Sequence, residues 1–224
     1  MNERQPAFGN SNKRGVTTRP AWAGLGPVLA FTGTYIVAFV IVSIATGTSG
    51  LAIYLGLMGV LVPSLYLLHR NYPFSRGLMW SFSAWGFVHM AGGLAPIPSR
   101  WFYEGGGDSV LYSWWLIPGY LKYDHVVHAY GFGITTWLCW HILKSILRFF
   151  NESPVRPTSG ILILCAAGGM GFGALNEVVE FIFTLVMPDT NVGDYQNTGW
   201  DLVANLIGAL VAVTLIRHGD KCRQ

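Results

Sequence analysis

Six apolar stretches, each near the length of a bilayer's hydrocarbon core, dominate this chain: about Leu25–Ala45, Leu51–Leu68, Gly77–Ile97, His125–Leu147, Gly160–Met187 and Trp200–Ile216. An α-helix rises about 1.5 Å per residue, so about 20 residues cross roughly 30 Å of hydrocarbon. Lipid offers backbone N–H and C=O groups no partners, and segments this long and apolar satisfy them internally as helices. The expected fold is therefore all-α, a six-transmembrane-helix bundle. With 52% hydrophobic residues, 11% charged residues and a mean hydropathy of +0.42, the chain is too apolar for an ordinary soluble domain. Cys139, Cys165 and Cys222 are odd in number and lack CxxC spacing, so no disulfide framework is implied.

The connections follow turn chemistry. Thr46–Gly50 is a short Gly/Thr/Ser turn, Pro73, Pro154, Pro157 and Pro188 fall between spans, and Pro96–Asp124 forms one long loop. Residues 1–20 read as a polar, basic tail preceding an uncleaved first span, 21–217 as the membrane domain and 218–224 as a second short tail. Six crossings put both termini on one side. On that threading twelve of the fourteen Lys and Arg residues share the side of the termini, and only Arg100 and Lys122 fall opposite. The positive-inside rule then places both termini in the cytoplasm of a bacterial inner membrane. The basic residues report orientation rather than a nucleic-acid partner; membrane lipids are the expected partners.

Against this background the titratable residues of the spans stand out. Asp124 and His128 are spaced i,i+4, as are Asp201 and Asn205, while Glu177 and Glu180 are spaced i,i+3, so each pair shares one helix face. The threading brings all of them, with His125, toward the outer half of the bilayer. His89 lies about 12 Å below Ile97 in the same half. A charge at membrane depth costs at least about 2.5–3.5 kcal/mol, so such groups persist where they pair, bind an ion or line a polar cavity. Three readings stay open. His89, His128, Glu177, Glu180 and Asp201 hold a divalent metal (Mg, Mn, Zn or Fe), with Asp124 or His125 as general base and Asn176, Asn205 and Asp194 as polar support. Alternatively they form a proton or cation pathway, or they hydrogen-bond across helices and specify packing. The metal reading implies an enzyme acting at the outer leaflet on a lipid or lipid-linked envelope precursor.

Two further features bear on the site. Gly169 and Gly173 make a small-xxx-small pair that lets backbones approach, which makes the fifth span the expected centre of the bundle. The long loop carries Trp101, Phe102, Tyr103, Tyr112, Trp114, Trp115, Tyr120 and Tyr123 around Gly105–Gly107 and reads as an interfacial belt or as a lid over the site. The second outer loop, Pro188–Gly199, is rich in side-chain oxygens, including Asp189, Asp194 and Asn197, and reads as a solvated turn.

The stretches FVHMAGG around His89, YDHVVHAYGF from Tyr123, NEVVEF from Asn176 and NVGDYQNTGWDLVANLIGA from Asn191 resemble the YjdF-type bacterial inner-membrane proteins of unknown function, over most of the chain from about Tyr54 onward. The later half is also similar in pattern to VanZ-like membrane proteins, in which an Asp and a His open one span, acidic or amide residues end another, and an Asp with an Asn opens the last. That resemblance implies work at the cell envelope. Glu180 stands where the VanZ-like pattern usually has Gln, and the central loop differs.

Overall fold

A computed structural model describes residues 24–47, 50–98, 100–101, 109–150, 154–186 and 195–221. Six long helices carry these residues: α1 (Gly26–Thr46), α2 (Leu51–Asn71), α3 (Arg76–Leu94), α4 (Tyr123–Phe150), α5 (Ser159–Val186) and α6 (Tyr195–Lys221). Four of them, α1, α2, α5 and α6, are both long and apolar enough to cross a membrane. Their outward faces agree: Ile41, Ile44, Leu164, Leu185 and Leu215 are all more than 60% exposed, a cost in water and the favourable state in lipid.

Three element boundaries depart from the apolar pattern. The sixth helix begins at Tyr195, five residues before the hydropathy rises, so Gln196 and Asn197 belong to a helix and not to a loop. It also runs through 218–221, which hydropathy assigns to the tail. Within the long loop, Trp115–Ile117 and Leu121–Lys122 pair as a small antiparallel hairpin, β1 and β2, the one departure from an all-helical chain among the described residues. Pro118 and Gly119 turn it: Gly119 has φ 77°, and the Tyr120 N–H donates to the Ile117 carbonyl at 3.0 Å. Asp194, Gly105–Gly107 and the 1–20 tail lie outside the described residues.

The helices form two layers joined across α3 and α4. In the first, Tyr35 and Phe39 of α1, Met58 of α2 and Met90, Ala91 and Leu94 of α3 bury one another. Gly86 and Gly93 leave the space that Tyr35 and Tyr54 fill. Leu78 of α3 and Ile134 and Leu138 of α4 then pack with Phe74 to join the layers. In the second layer α4 touches α5 and α6, and it is α4, not α5, that occupies the centre. Depth in the bundle is set by who meets whom, and α5 turns most of its circumference outward, with Phe172, Leu175, Val178 and Phe181 each more than half exposed.

Glycine sets the approach of α4 to α6. A Cβ at Gly208 would collide with the Ala129 carbonyl oxygen, and one at Gly133 would stand 3.0 Å from the Gly208 oxygen. On the other side, a Cβ at Gly169 would strike Thr136 and one at Gly173 would strike Asn205. These meetings run in step along α4 and α6 and in opposite order along α5, so α4 and α6 are parallel and α5 is antiparallel to both.

Overpacking a contact of this kind costs about 1–3 kcal/mol. Gly208→Val is therefore expected to lower the thermal midpoint of the detergent-solubilised protein. Gly171→Ala, where a Cβ meets open space, is expected to leave the midpoint unchanged or raise it, since Ala exceeds Gly in helix propensity by about 1 kcal/mol.

Candidate functional site

The parallel start of α4 and α6 and the last turns of α5 meet at one end of the bundle. Asp124 and His128 enter from α4, Asp201 and Asn205 from α6, and Glu177 and Glu180 from α5. Asp201 and Asn205 are fully buried, and His128 and Glu177 are 7% and 8% exposed. The space exists because Gly173 has no side chain: Asn205 sits where its Cβ would be.

His128 is the hub. Its Nε2 lies 3.5 Å from Asp124 Oδ1, one turn earlier on the same helix. Its Nδ1 lies 3.2 Å from Asn205 Oδ1 and 3.6 Å from Glu177 Oε1. Two sets of ligand-type atoms therefore share this imidazole: Asp124, His128 and Asp201 on one side, and His128, Glu177 and Glu180 on the other. Within each set the atoms lie within 4.8 Å of one another. Ligands of one ion at 2.0–2.6 Å stand at most about 4–5 Å apart, so either set has the span of a cation site.

Amide groups hold the carboxylates in place. Asn197 Nδ2 donates to Asp201 Oδ2 at 2.7 Å and its Oδ1 accepts from Lys122 Nζ at 3.0 Å, which ties the hairpin to α6. Lys122 also lies over the Trp115 ring, 5.1 Å from its centroid. Asn176 Nδ2 donates to Glu180 Oε1 at 2.6 Å. Among the described residues several buried polar atoms have no hydrogen-bond partner: both Glu177 oxygens, Asp201 Oδ1 and Asn205 Nδ2 in the cluster, and His89 Nε2 and the indole nitrogens of Trp85 and Trp115 outside it. An unsatisfied buried polar atom costs about 1–3 kcal/mol, more when charged.

Two of the residues singled out from the sequence stand apart. His89 on α3 stacks on Trp85 at 4.9 Å between ring centroids, and its Nδ1 meets the Tyr112 hydroxyl. It is not one of the atoms that converge within 4.8 Å. Gly92 makes the room for the Tyr112 ring. Burial pushes the Tyr112 phenol well above the ordinary tyrosine range, so it reaches His89 as a neutral hydroxyl. His125 turns toward the hairpin: its Nδ1 accepts the Lys122 backbone N–H at 3.2 Å, and its ring lies between Trp115 and Trp200. Both histidines face the aromatic loop, whose described part folds down onto the site instead of lying outside it. Tyr123 adds a bond to the Val88 carbonyl at 2.9 Å. Asn197 is the residue whose place in the site was hidden; its i,i+4 spacing to Asp201 was available, but the residue sits ahead of the apolar stretch.

A bundle of long helices with lipid-facing apolar surfaces and a buried acidic cluster at one end defines an integral, multi-pass membrane protein. The chain belongs to the family described as "Predicted membrane protein (DUF2238)", whose model matches residues 27–221. It is also similar to an uncharacterised protein of Thermotoga maritima, 27% identical over 95 residues that make up 42% of this chain. The match spans about half of that relative's length, 47%. No solved structure matches.

Asn197→Ala removes both the contact to Lys122 and the donor on Asp201. Polar contacts between membrane helices are worth about 0.6–2 kcal/mol, and a loss of that size is expected in reversible unfolding. Asn197→Asp, which keeps the acceptor for Lys122 but sets a carboxylate beside Asp201, is expected to unfold at least as readily.

Proposed function

We propose that this protein is an enzyme of a bacterial inner membrane that holds a divalent cation among Asp124, His128 and Asp201 and acts on a lipid or lipid-linked precursor of the envelope by hydrolysis or headgroup transfer. The observation that carries the reading is the set of buried, unpartnered polar atoms converging on one imidazole from three helices. Like charges brought together out of water repel unless a cation or a proton joins them.

The surroundings of His128 favour one of the two sets. A ligating histidine commonly donates its other ring N–H to an oxygen, which fixes the tautomer and the ring. Here Asn205 Oδ1 and Glu177 Oε1 flank Nδ1, which leaves the Nε2 lone pair facing Asp124. A divalent ion in that position supplies Lewis-acid chemistry toward a phosphoryl or carbonyl oxygen. Glu177 and Glu180 lie across the ring, where they hold the proton that a general acid or base exchanges. Asp124, the most accessible of the ligand atoms with its side chain 19% exposed, marks the side from which substrate enters. The aromatic surface of Trp114, Trp115 and Tyr120 suits an amphipathic molecule at the headgroup level.

The alternation in direction of the six helices and the bias of basic residues support six crossings with cytoplasmic termini and an outward-facing site. The VanZ-like pattern points to the same envelope setting. A cation-coupled transporter finds less support, since Thr136 and Gly169 close the α4–α5 contact just beneath His128.

Elemental analysis of detergent-purified protein tests the reading. About one equivalent of a divalent metal is expected in the wild type and little in an Asp124→Asn, Asp201→Asn double variant, with Glu177→Gln retaining most of it. At a hundred times its dissociation constant the cation should stabilise the wild type by about 2.7 kcal/mol. Wild-type protein that binds no cation, and is not stabilised by any, removes the proposal.

A further inference from the structure

The α4–α6 pair has a second face, turned away from the acidic cluster, and it is grooved. A cavity of about 980 Å³ runs along it, walled by Val126, Gly133 and Trp137 of α4 and Ile207, Val211 and Leu215 of α6. None of the cluster residues contributes to it. The wall residues of α6 are open to the lipid side: Ile207 and Val211 are each 53% exposed and Leu215 is 66% exposed. The close approach of backbones at Gly208 and Ala129 forms the floor.

The two ends of this groove differ. Toward Val126 it is apolar. At the opposite end Lys144, Arg148 and Arg156 come together from α4 and the segment that follows it, with Asp220 of α6 as the one carboxylate beside them among the described residues. Lys144 lies over the Trp140 ring at 5.2 Å, a place where an ammonium buries its stem and keeps its charge at the interface. Arg148 and Arg156 are exposed. From Arg148 back to Trp137 the helix rises about 16 Å, close to half of the roughly 30 Å hydrocarbon core. The groove thus has an apolar channel one leaflet deep below a cationic mouth.

We infer that this groove binds one anionic phospholipid from the leaflet at the Arg148 end, with its acyl chains along Trp137, Val211 and Leu215 and its phosphate held by Lys144, Arg148 and Arg156. Among the described lining residues three cations against one carboxylate match a phosphate, and basic pockets between membrane helices on the positively charged side are the recurring form of anionic headgroup sites. A volume near 1,000 Å³ is that of a specific ligand pocket. A second copy of the chain laid in the groove would have to bring acidic groups to this end, whereas the described acidic residues other than Asp220 lie at the far end of the helices. The lipid site stands whether or not the acidic cluster binds a metal.

Native mass spectrometry of the full-length protein, titrated with phosphatidylglycerol or with phosphatidylcholine of the same acyl chains, tests it. One phosphatidylglycerol per chain is expected to survive at activation energies that strip phosphatidylcholine. Arg148→Gln, Arg156→Gln is expected to weaken the anionic lipid by about fivefold per charge removed and to leave the zwitterionic one unchanged. Val211→Trp, which fills the groove without touching the mouth, should weaken both; its metal content should equal that of the wild type. Equal retention of the two lipids by the wild type overturns the inference, as does phosphatidylglycerol binding that neither variant alters. A dimer that sheds lipid as it forms and that Val211→Trp dissolves would assign the groove to a second copy and overturn it too.

Discussion

A carboxylate buried among apolar helices must be compensated, and in this protein the buried acids of three helices converge on one imidazole. His128 faces Asp124 with one nitrogen and Asn205 and Glu177 with the other, so three helices are joined through a single ring. The rest of the second layer is arranged so that this can happen. Gly208 and Gly133 let α4 and α6 touch backbone to backbone, Gly169 and Gly173 let α5 close over both, and the opening turns of α4 and α6 arrive side by side. Helices linked through one intervening helix of opposite direction run parallel, and the contact between α4 and α6 is what doubles the polar groups at one end of the bundle.

The same arrangement leaves the other end basic. Arg217 donates to Ser159 at 2.9 Å where α6 ends beside the start of α5. His69 and His141 bond the backbone of the turn between α2 and α3, through Phe74 N–H and the Pro73 carbonyl. These two histidines therefore bond the turn between α2 and α3, at the end of the bundle away from the acidic cluster. The two ends of the bundle thus differ in charge character, with apolar contacts between them.

Much of this was legible in the chain because hydropathy is a one-dimensional property. All six helices begin and end within a few residues of their apolar stretches, apart from α6. The i,i+4 pairs on α4 and α6 and the i,i+3 pair on α5 follow from helical geometry alone, and so does their common end once the crossings alternate. Which helix lies at the centre was not legible. Gly169 and Gly173 advertise a close contact, but Gly133 and Gly208, which stand in the small-xxx-small pairs Ala129/Gly133 and Ala204/Gly208, make a closer one, because the partner of a glycine is chosen by the fold. The surroundings of His89 were hidden for a related reason: depth along the bundle fixes height, not azimuth, and its ring packs against Trp85 and Tyr112. The hairpin at Pro118–Gly119 carried its turn signal, yet the surrounding aromatic residues resemble an interfacial belt more than strands.

The aromatic loop deserves its place in the mechanism of the site for a physical reason. Tyr112 fills the space left by Gly92 and contacts His89, Tyr123 bonds Val88, and Lys122 reaches Asn197. The loop is thereby anchored to α3, α4 and α6 at once, above the carboxylates. Interactions between charges grow as water is excluded, so each contact of the loop over this end of the bundle raises the cost of leaving the buried carboxylates without a counter-charge. Lys122 adds a positive charge at the rim, linked to Asp201 through Asn197 by two hydrogen bonds.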